Sequence, residues 1–239
     1  ISGTLKVGGA NIATINSAFV GTDVTSREFT YTESTPETEG TADPDWSDVI
    51  ALVDFDGDIT DIKGHSITGD TDSDHYGTTN GKFGGAFTNN GSDATNVKIN
   101  GLTETGDTTI ECWFNVASLS ATYNFLFMAQ DSSWTTGKLG AWLAVKSNGK
   151  LEGWLSNGGY GTITGTTTIS VDTWYHVIWQ CTGADVKVWM APSGGNYVEE
   201  HSSTVANSYL PFRFSGDKFT IGSENGGTWK LNGKSKRKD

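Results

Sequence analysis

The densest group of potential metal ligands in this chain is acidic and lies between residues 54 and 74. Seven aspartates fall there: Asp54, Asp56, Asp58, Asp61, Asp70, Asp72 and Asp74. Asp70, Asp72 and Asp74 alternate as at the start of an EF-hand loop, although His75 replaces that loop's glycine and no closing Glu follows. Oxygen ligands on loops suit Ca²⁺, so we predict calcium at these three aspartates. The alternative is a solvated loop, because Asp favours turns without any ion.

A second group of residues with chemical potential is aromatic and lies in polar loop sequence. Trp134 stands in the segment DSSWTTG, while Tyr160 and Trp229 follow Asn-Gly-Gly triplets that begin at Asn157 and Asn225. Aromatic faces stack against the apolar side of a pyranose, and amide groups fix its hydroxyls. We therefore predict a glycan-binding site built from these five residues. The alternative is that the rings cap a protein core.

Most of the other tryptophans lie within strand-like runs, which predicts core positions for them. They are Trp113, Trp142, Trp154, Trp174, Trp179 and Trp189. His176 belongs to the run WYHVIWQ and is predicted to be a buried histidine of a sheet rather than a ligand.

The elements that must position these residues are short strands separated by turns. Runs rich in β-branched and aromatic residues alternate with turn signals such as Ser147-Asn148-Gly149, and no stretch keeps a 3.6-residue period. Strands are predicted at Val49–Phe55, Lys82–Phe87, Thr95–Asn100, Thr108–Asn115, Tyr123–Gln130, Leu139–Lys146, Lys150–Ser156, Thr162–Ser170, Trp174–Thr182, Ala184–Ala191, Tyr197–His201 and Phe219–Gly222. A dozen short strands without crossover helices predict an all-β fold of stacked antiparallel sheets.

The N-terminal part of the chain differs in composition from this region. Residues 1–32 alternate weakly and are too sparsely apolar to enclose a core, which predicts a β arm that pairs with another subunit or docks on the main domain. Residues 33–48 hold six acidic residues, no basic ones and two prolines, which predicts an extended linker. The main domain is expected to span residues 49–239.

Charge and hydropathy exclude two classes of partner. The net charge of −12 would repel the phosphates of nucleic acid, and the basic residues of the last six positions are expected to form a short solvated tail. No apolar run approaches the length of a membrane span, so membrane insertion is not expected. Cys112 and Cys181 could form a disulfide bond only if their strands are neighbours. The alternative is that both are buried free thiols.

The order of several motifs resembles a known family. The segments ALVDFDGDITDIKGH, GKFGGAFTNN, TTIECWFNV, LGAWLAVKSNGKLEGWL, WYHVIWQCTGADVKVWM and FTIGSENGG follow one another across residues 49–229. Together they resemble the laminin-G-like domains of the concanavalin A-like lectin/glucanase superfamily, as found in phage structural proteins. The resemblance implies an antiparallel jelly-roll sandwich, and it adds Asn89, Asn90 and Asn157 as secondary calcium candidates at a sandwich rim.

Two departures from that superfamily shape the expected function. Its hydrolases carry Glu, Asp and Glu at alternate positions of one strand, whereas Glu199 and Glu200 are adjacent and Glu111 and Glu152 stand alone. We therefore expect no enzymatic activity. The usual closing strand is also not recognisable after WKLNG, so we expect it to be missing, replaced by the arm or supplied by a neighbour.

The predicted function is a non-catalytic recognition and structural module. It is expected on a virion or outside the cell, where it binds glycans or cell-surface polysaccharide through the sandwich and other virion subunits or itself through the arm. The alternatives are a purely structural capsid or tail decoration protein without a ligand, and, less favoured, a glycan hydrolase.

Overall fold

The chain divides into two units, Ile1–Trp46 and Ser47–Asp239. The computed structural model describes residues 2–7, 10–16, 46–69, 76–91, 96–102, 107–130, 139–157, 160–204, 218–223 and 230–236. In the first unit, strands β1 (Ser2–Val7) and β2 (Ala10–Asn16) form an antiparallel pair. Most of the predicted linker lies outside the described residues.

The second unit consists of two antiparallel sheets of seven strands each, after a short 3₁₀ turn at Trp46–Asp48. Sheet 1 has the strand order β11-β10-β9-β8-β15-β6-β3, with β3 Ile67–Gly69, β6 Val97–Ile99, β8 Tyr123–Gln130, β9 Leu139–Lys146, β10 Leu151–Asn157, β11 Tyr160–Thr164 and β15 Lys218–Ile221. Sheet 2 has the order β14-β13-β12-β7-β16-β5-β4, with β4 Tyr76–Gly77, β5 Ala86–Asn90, β7 Thr108–Val116, β12 Trp174–Thr182, β13 Asp185–Pro192, β14 Val198–Thr204 and β16 Asn232–Lys236.

A single large core lies between the two sheets. It is built from alternate residues of each strand, so that Val177, Trp179 and Cys181 of β12 point inward. Across the interface, the ring of Phe127 from sheet 1 lies 5.4 Å from that of Trp179 in sheet 2. The predicted all-β sandwich of antiparallel sheets is confirmed. In the described part of the chain, no helix is long and apolar enough to span a membrane.

The first predicted strand of the main domain, Val49–Phe55, is wrong. These residues make only an isolated bridge, from Val53 to Asp61, because the chain turns sharply at Phe55, a buried residue with φ of +60°. The turn is held from the other side by Gly85. A Cβ atom there would lie 2.3 Å from the Phe55 carbonyl oxygen, so no larger residue fits.

The expectation about the closing strand is also wrong. Residues 232–236 form β16, which pairs with β5 on one side and β7 on the other, in the interior of sheet 2. The start of the predicted basic tail is therefore part of a central strand. A small residue suits this position: Ser235 is buried between Phe87 and Phe114 in the strand register, and both of those large side chains are fully buried.

Cys112 and Cys181 are both free thiols. They belong to β7 and β12, but Cys112 lies opposite Val177 and Cys181 opposite Thr108, so the two cysteines are not partners in the ladder. Burial raises the pKa of Cys181 to about 11, with a smaller contribution from the negative charge of Asp107. The thiol is therefore neutral and unreactive at physiological pH.

Candidate functional site

Most of the site residues predicted from sequence lie outside the described residues. This holds for the metal candidates Asp70, Asp72 and Asp74 and for the ligand candidates Trp134, Asn225 and Trp229. Those assignments stay predictions. Among the described residues, no group of three or more His, Cys, Asp or Glu side chains is arranged to hold a metal ion.

The backbones of the other two ligand candidates are described, and they lie at one end of sheet 1. Asn157 ends β10 opposite Leu139, and Tyr160 begins β11 opposite Ser156. The strand ends Gln130 and Leu139, which flank the segment that contains Trp134, lie at the same end. The backbones of Asn157 and Tyr160 and the strand ends Gln130 and Leu139 therefore share a sheet end, whereas Ser223 lies beyond the far end of β15.

The side chain of the secondary calcium candidate Asn89 is hydrogen-bonded to backbone groups of the protein itself. Its side chain is buried, donates a hydrogen bond to the carbonyl of Gly222 at 3.3 Å and accepts one from the Gly91 amide at 2.9 Å. Asp61 behaves in the same way, since its two oxygens accept hydrogen bonds from Leu52, Lys63 and His65. Both side chains shape turns of the sandwich.

The outer face of sheet 1 carries a row of aromatic side chains that we call the Trp142 face, defined by Tyr123, Phe125, Trp142, Lys146, Glu152 and Trp154. The cross-strand register pairs Trp142 of β9 directly with Trp154 of β10 and, on the other side, with Met128 of β8. Trp154 in turn lies opposite Thr162 of β11. Because paired residues share a face, these side chains lie side by side across four strands.

Accessibility increases across the Trp142 face toward the β11 edge. Phe125 and Met128 are buried, Trp142 and Trp154 are half-buried, and Thr162 is exposed. The Trp142 ring packs at 5.2 Å from Phe125 and edge-on at 5.5 Å from Tyr123. One side of the aromatic row is thus fixed by packing, while the side toward β10 and β11 remains open to solvent.

A single carboxylate organises the polar part of the Trp142 face. Glu152 accepts hydrogen bonds from the Tyr123 hydroxyl at 2.9 Å and from the Lys146 ammonium at 2.7 Å. Burial raises the pKa of Tyr123, and the Glu152 carboxylate raises it further. The hydrogen bond to Glu152 also raises the pKa of Lys146. At neutral pH the network therefore consists of a neutral phenol, an ammonium and a carboxylate next to the two indole rings.

The outer face of sheet 2 carries a second group, the Trp113 cluster, defined by Lys82, Phe83, Glu111, Trp113, His176 and Tyr197. Trp113 of β7 and His176 of β12 are paired across the strands, with ring centroids 5.1 Å apart. His176 is fully buried, as predicted, and its Nδ1 lies 2.6 Å from the Tyr197 hydroxyl.

Five of the six tryptophans that the sequence predicts as core lie on outer faces instead. Only Trp179 is buried between the sheets, whereas Trp113, Trp142, Trp154, Trp174 and Trp189 are half-buried. The sequence of β7 contains part of the information needed to predict this. Glu111 and Trp113 are two residues apart and therefore lie on the same face of the strand, opposite to the inward Phe114. A charged residue on that face marks it as the solvent face.

Comparison of the whole chain with known proteins gives a fold and no family. No family model matches the sequence, and no curated protein matches it. Domain 4 of the extracellular arabinanase AbnA from Geobacillus stearothermophilus, solved with arabinotriose, is similar with a TM-score of 0.54 and 18% identity over 78% of this chain and 88% of that chain. The LG1-3 region of the laminin alpha2 chain has a TM-score of 0.50 and 11% identity over 63% of this chain and 29% of that chain.

A third similar structure comes from a bacteriophage. The enzymatically active domain of tailspike protein 2 from phage CBA120 has a TM-score of 0.44 and 17% identity over 64% of this chain and 24% of that chain. The chain therefore spans less than a third of the laminin and tailspike structures. Similarity to the laminin and arabinanase domains, together with the two antiparallel seven-stranded sheets, confirms the predicted concanavalin A-like jelly-roll fold.

Proposed function

We propose that this protein is a non-catalytic glycan-recognition module that binds its ligand on the Trp142 face. The observation that supports this most directly is the Trp142–Trp154 pair, which is half-buried and adjoins the Glu152 network. Indole faces stack against the C–H surface of a sugar, and a fixed carboxylate with an ammonium beside it binds hydroxyl groups. The open side toward Thr162 gives a glycan chain access to both rings.

The composition of the Trp142 face favours binding over hydrolysis. A glycosidase of the usual kind needs two carboxyl groups about 5 to 10 Å apart on either side of the scissile bond. At alternate positions, Glu152 is flanked by Lys150, which precedes β10, and by Trp154, and both of its oxygens are already engaged by Tyr123 and Lys146. With both oxygens engaged in this way, Glu152 is a hydrogen-bond acceptor that positions Tyr123 and Lys146.

The sequence-predicted ligand residues extend the same surface. Asn157 and Tyr160 lie at the end of the two strands that carry Trp154 and Thr162, and the strand ends around Trp134 are at the same end of sheet 1. We include these three residues in the proposed site. The structure of the similar arabinanase domain is a complex with arabinotriose, so arabino-oligosaccharides are the first ligands to test.

The proposal extends to location and metal. A module that binds surface polysaccharide acts outside the cell or on a virion, where the N-terminal arm would join it to other subunits. Calcium bound at Asp70, Asp72 and Asp74 would stabilise the sandwich by mass action. Excess EDTA is expected to lower the melting temperature by several degrees, and an unchanged melt would contradict the calcium assignment.

The test of the glycan proposal is binding by calorimetry, after a screen of arabinotriose and a panel of bacterial surface polysaccharides. Trp154→Ala is expected to weaken binding at least tenfold, as loss of one stacking contact does. Trp189→Ala is the matched control, because Trp189 is also half-buried but lies on β13 of sheet 2 and belongs neither to the Trp142 face nor to the Trp113 cluster. Equal affinity of Trp154→Ala and the unchanged protein, with both folded, would contradict the proposal.

A further inference from the structure

The outer face of sheet 2 carries a row of four rings that the Trp142 face does not explain. In order across the sheet they belong to Phe83, Trp113, His176 and Tyr197, with successive centroid distances of 5.7, 5.1 and 5.8 Å. The inner two are contributed by β7 and β12, and the outer two by segments that precede β5 and β14. We propose that this Trp113 cluster is a second binding site, on the opposite face of the sandwich, for a pyranose unit of a glycan.

Both ends of the row are open to solvent. Phe83 is 41% exposed and Tyr197 is 47% exposed, and they are among the few large hydrophobic residues of the described chain that are exposed to this extent. Exposed aromatic rings that are held by neighbouring rings are unusual on a sheet face without a partner. Their positions are fixed: Phe83 packs edge-on against Trp113, and the Tyr197 hydroxyl is hydrogen-bonded to the buried His176.

The polar groups of the cluster match an occupant that both donates and accepts hydrogen bonds. The Trp113 Nε1–H group makes no hydrogen bond within the described structure but is inaccessible from solvent, so the donors that face a surface ligand are those of the Lys82 ammonium. The exposed Glu111 carboxylate, 3.7 Å from His176 Nε2, supplies an acceptor. The ammonium of Lys82 lies 5.4 Å above the Phe83 ring and 5.9 Å from the Trp113 ring.

These features favour a sugar over a protein partner. Stable protein interfaces bury about 800 Å² on each side around an apolar centre. Here the ring row is one residue wide and is bordered by the charged residues Lys82 and Glu111, which a large apolar partner would desolvate. A pyranose presents C–H groups to the rings and hydroxyls to the charged groups at its edge, so its chemistry fits both features.

The experiment uses the full chain and the indole N–H signals of its tryptophans in ¹H–¹⁵N NMR spectra, with the Trp113 signal identified by Trp113→Phe. A panel of methyl pyranosides is titrated to about 50 mM, far above the millimolar dissociation constants of weak sites. We expect at least one sugar to shift the Trp113 signal in a saturable manner, both in the unchanged protein and in Trp154→Ala. Phe83→Ala is expected to weaken that response at least fivefold.

The matched control is Val171→Ala, since Val171 is equally exposed but lies in the loop before β12. It should leave the response at Trp113 unchanged. If no sugar shifts the Trp113 signal, or if Phe83→Ala and Val171→Ala respond alike, the second site does not exist. A saturable response at the Trp142 and Trp154 indoles alone would overturn this inference and leave the proposed function intact.

Discussion

Asp61 shows how one buried carboxylate defines the entry of the chain into the sandwich. Its oxygens accept backbone hydrogen bonds from Leu52 at 2.6 Å, His65 at 2.9 Å and Lys63 at 3.2 Å, and a side-chain hydrogen bond from His65 at 2.6 Å. Burial would raise the pKa of Asp61, but these hydrogen bonds outweigh it and lower the pKa below its ordinary value of 3.8.

We expect Asp61→Asn to lower the free energy of unfolding by about 3 kcal/mol, because an amide accepts fewer hydrogen bonds and places an N–H group against backbone donors. Urea unfolding at pH 7 measures this. Asp58→Asn is the matched control: Asp58 is exposed and accepts one local hydrogen bond, from the Thr60 amide, so a change within about 0.5 kcal/mol is expected. Equal effects of the two substitutions would contradict the role of Asp61.

The pH dependence of Asp61 follows from the sign of its pKa shift. A carboxyl group with a lowered pKa in the folded state contributes stability that is present above its unfolded value and lost as the pH falls through the folded one. The contribution of Asp61 should therefore disappear only below pH 3.8. Urea unfolding at a series of acidic pH values measures this: the part of the stability difference between the unchanged protein and Asp61→Asn that comes from the Asp61 carboxylate should be lost only below pH 3.8.

The network around Glu152 has the opposite pH dependence. The pKa values of Tyr123 and Lys146 are both raised, from 10.0 and 10.5, so their contribution is fully present at neutral pH and is lost as the pH rises through the folded values. We expect glycan binding on the Trp142 face to be constant from pH 6 to 9 and to fall in the alkaline range. Calorimetry at a series of pH values tests this.

The matched variant for that series is Glu152→Gln, which keeps the shape of the side chain and removes its charge. Affinity should be lower throughout, and the alkaline loss should begin at a lower pH because the partner that raises both pKa values is gone. A fall in affinity below pH 8 in the unchanged protein would mean that other groups control binding.

At the scale of the strand, sequence patterns were most reliable where both faces of a strand are covered. Tyr123–Gln130, Leu139–Lys146 and Trp174–Thr182 have the predicted bounds, because their nearly continuous apolar runs leave little freedom at the ends. Sequence patterns predict less well which set of alternate residues in each strand faces the core. Large aromatic residues lie on both faces, so the pattern predicts Trp113 and Trp142 as core, whereas they pack against Phe83 and Phe125 on the outer faces.

The closing strand β16 was missed for a related reason. Its sequence, NGKSK, contains no apolar residue, and such a run reads as a solvated tail. In the sheet, Gly233 and Ser235 are buried because Val116, Phe87 and Phe114 on the neighbouring strands already fill the core. The prediction therefore required knowledge of the partner strands, which local sequence does not contain. The site candidates outside the described residues stay predictions.

The central position of β16 makes the C-terminal residues essential to the fold. A chain that ends at residue 231 loses both the β5–β16 and the β7–β16 ladders. We expect it to be unfolded or proteolysed, because two neighbouring strands lose their partners at once. A chain that ends at residue 236 keeps every residue that is paired in the described part of the structure, and it should melt like the full chain. Circular dichroism and limited proteolysis distinguish the two, and a folded 231-residue chain would contradict the central role of β16.

At the scale of the whole molecule, the two proposed surfaces lie on opposite faces of one sandwich. The Trp142 face belongs to sheet 1 and the Trp113 cluster to sheet 2, with the core between them. A module with two such faces would bind a polysaccharide chain at two points without any linker of its own. Its net charge of −12 would at the same time limit attachment to anionic polymers, so neutral glycans are the better candidates.

An oligomer of several modules would bind a polysaccharide at more points than one module does. The N-terminal unit is the proposed means of assembly. Its described part is a two-stranded antiparallel pair, β1 and β2, and an isolated hairpin of this size is marginally stable in water. We expect the full chain to form oligomers through this unit, whereas a chain that starts at Ser47 should be monomeric with an unchanged melting temperature. Light scattering of both chains at the same concentration measures the masses. Monomers in both samples would contradict assembly through the arm, and a lower melting temperature of the shortened chain would show instead that the arm stabilises its own domain.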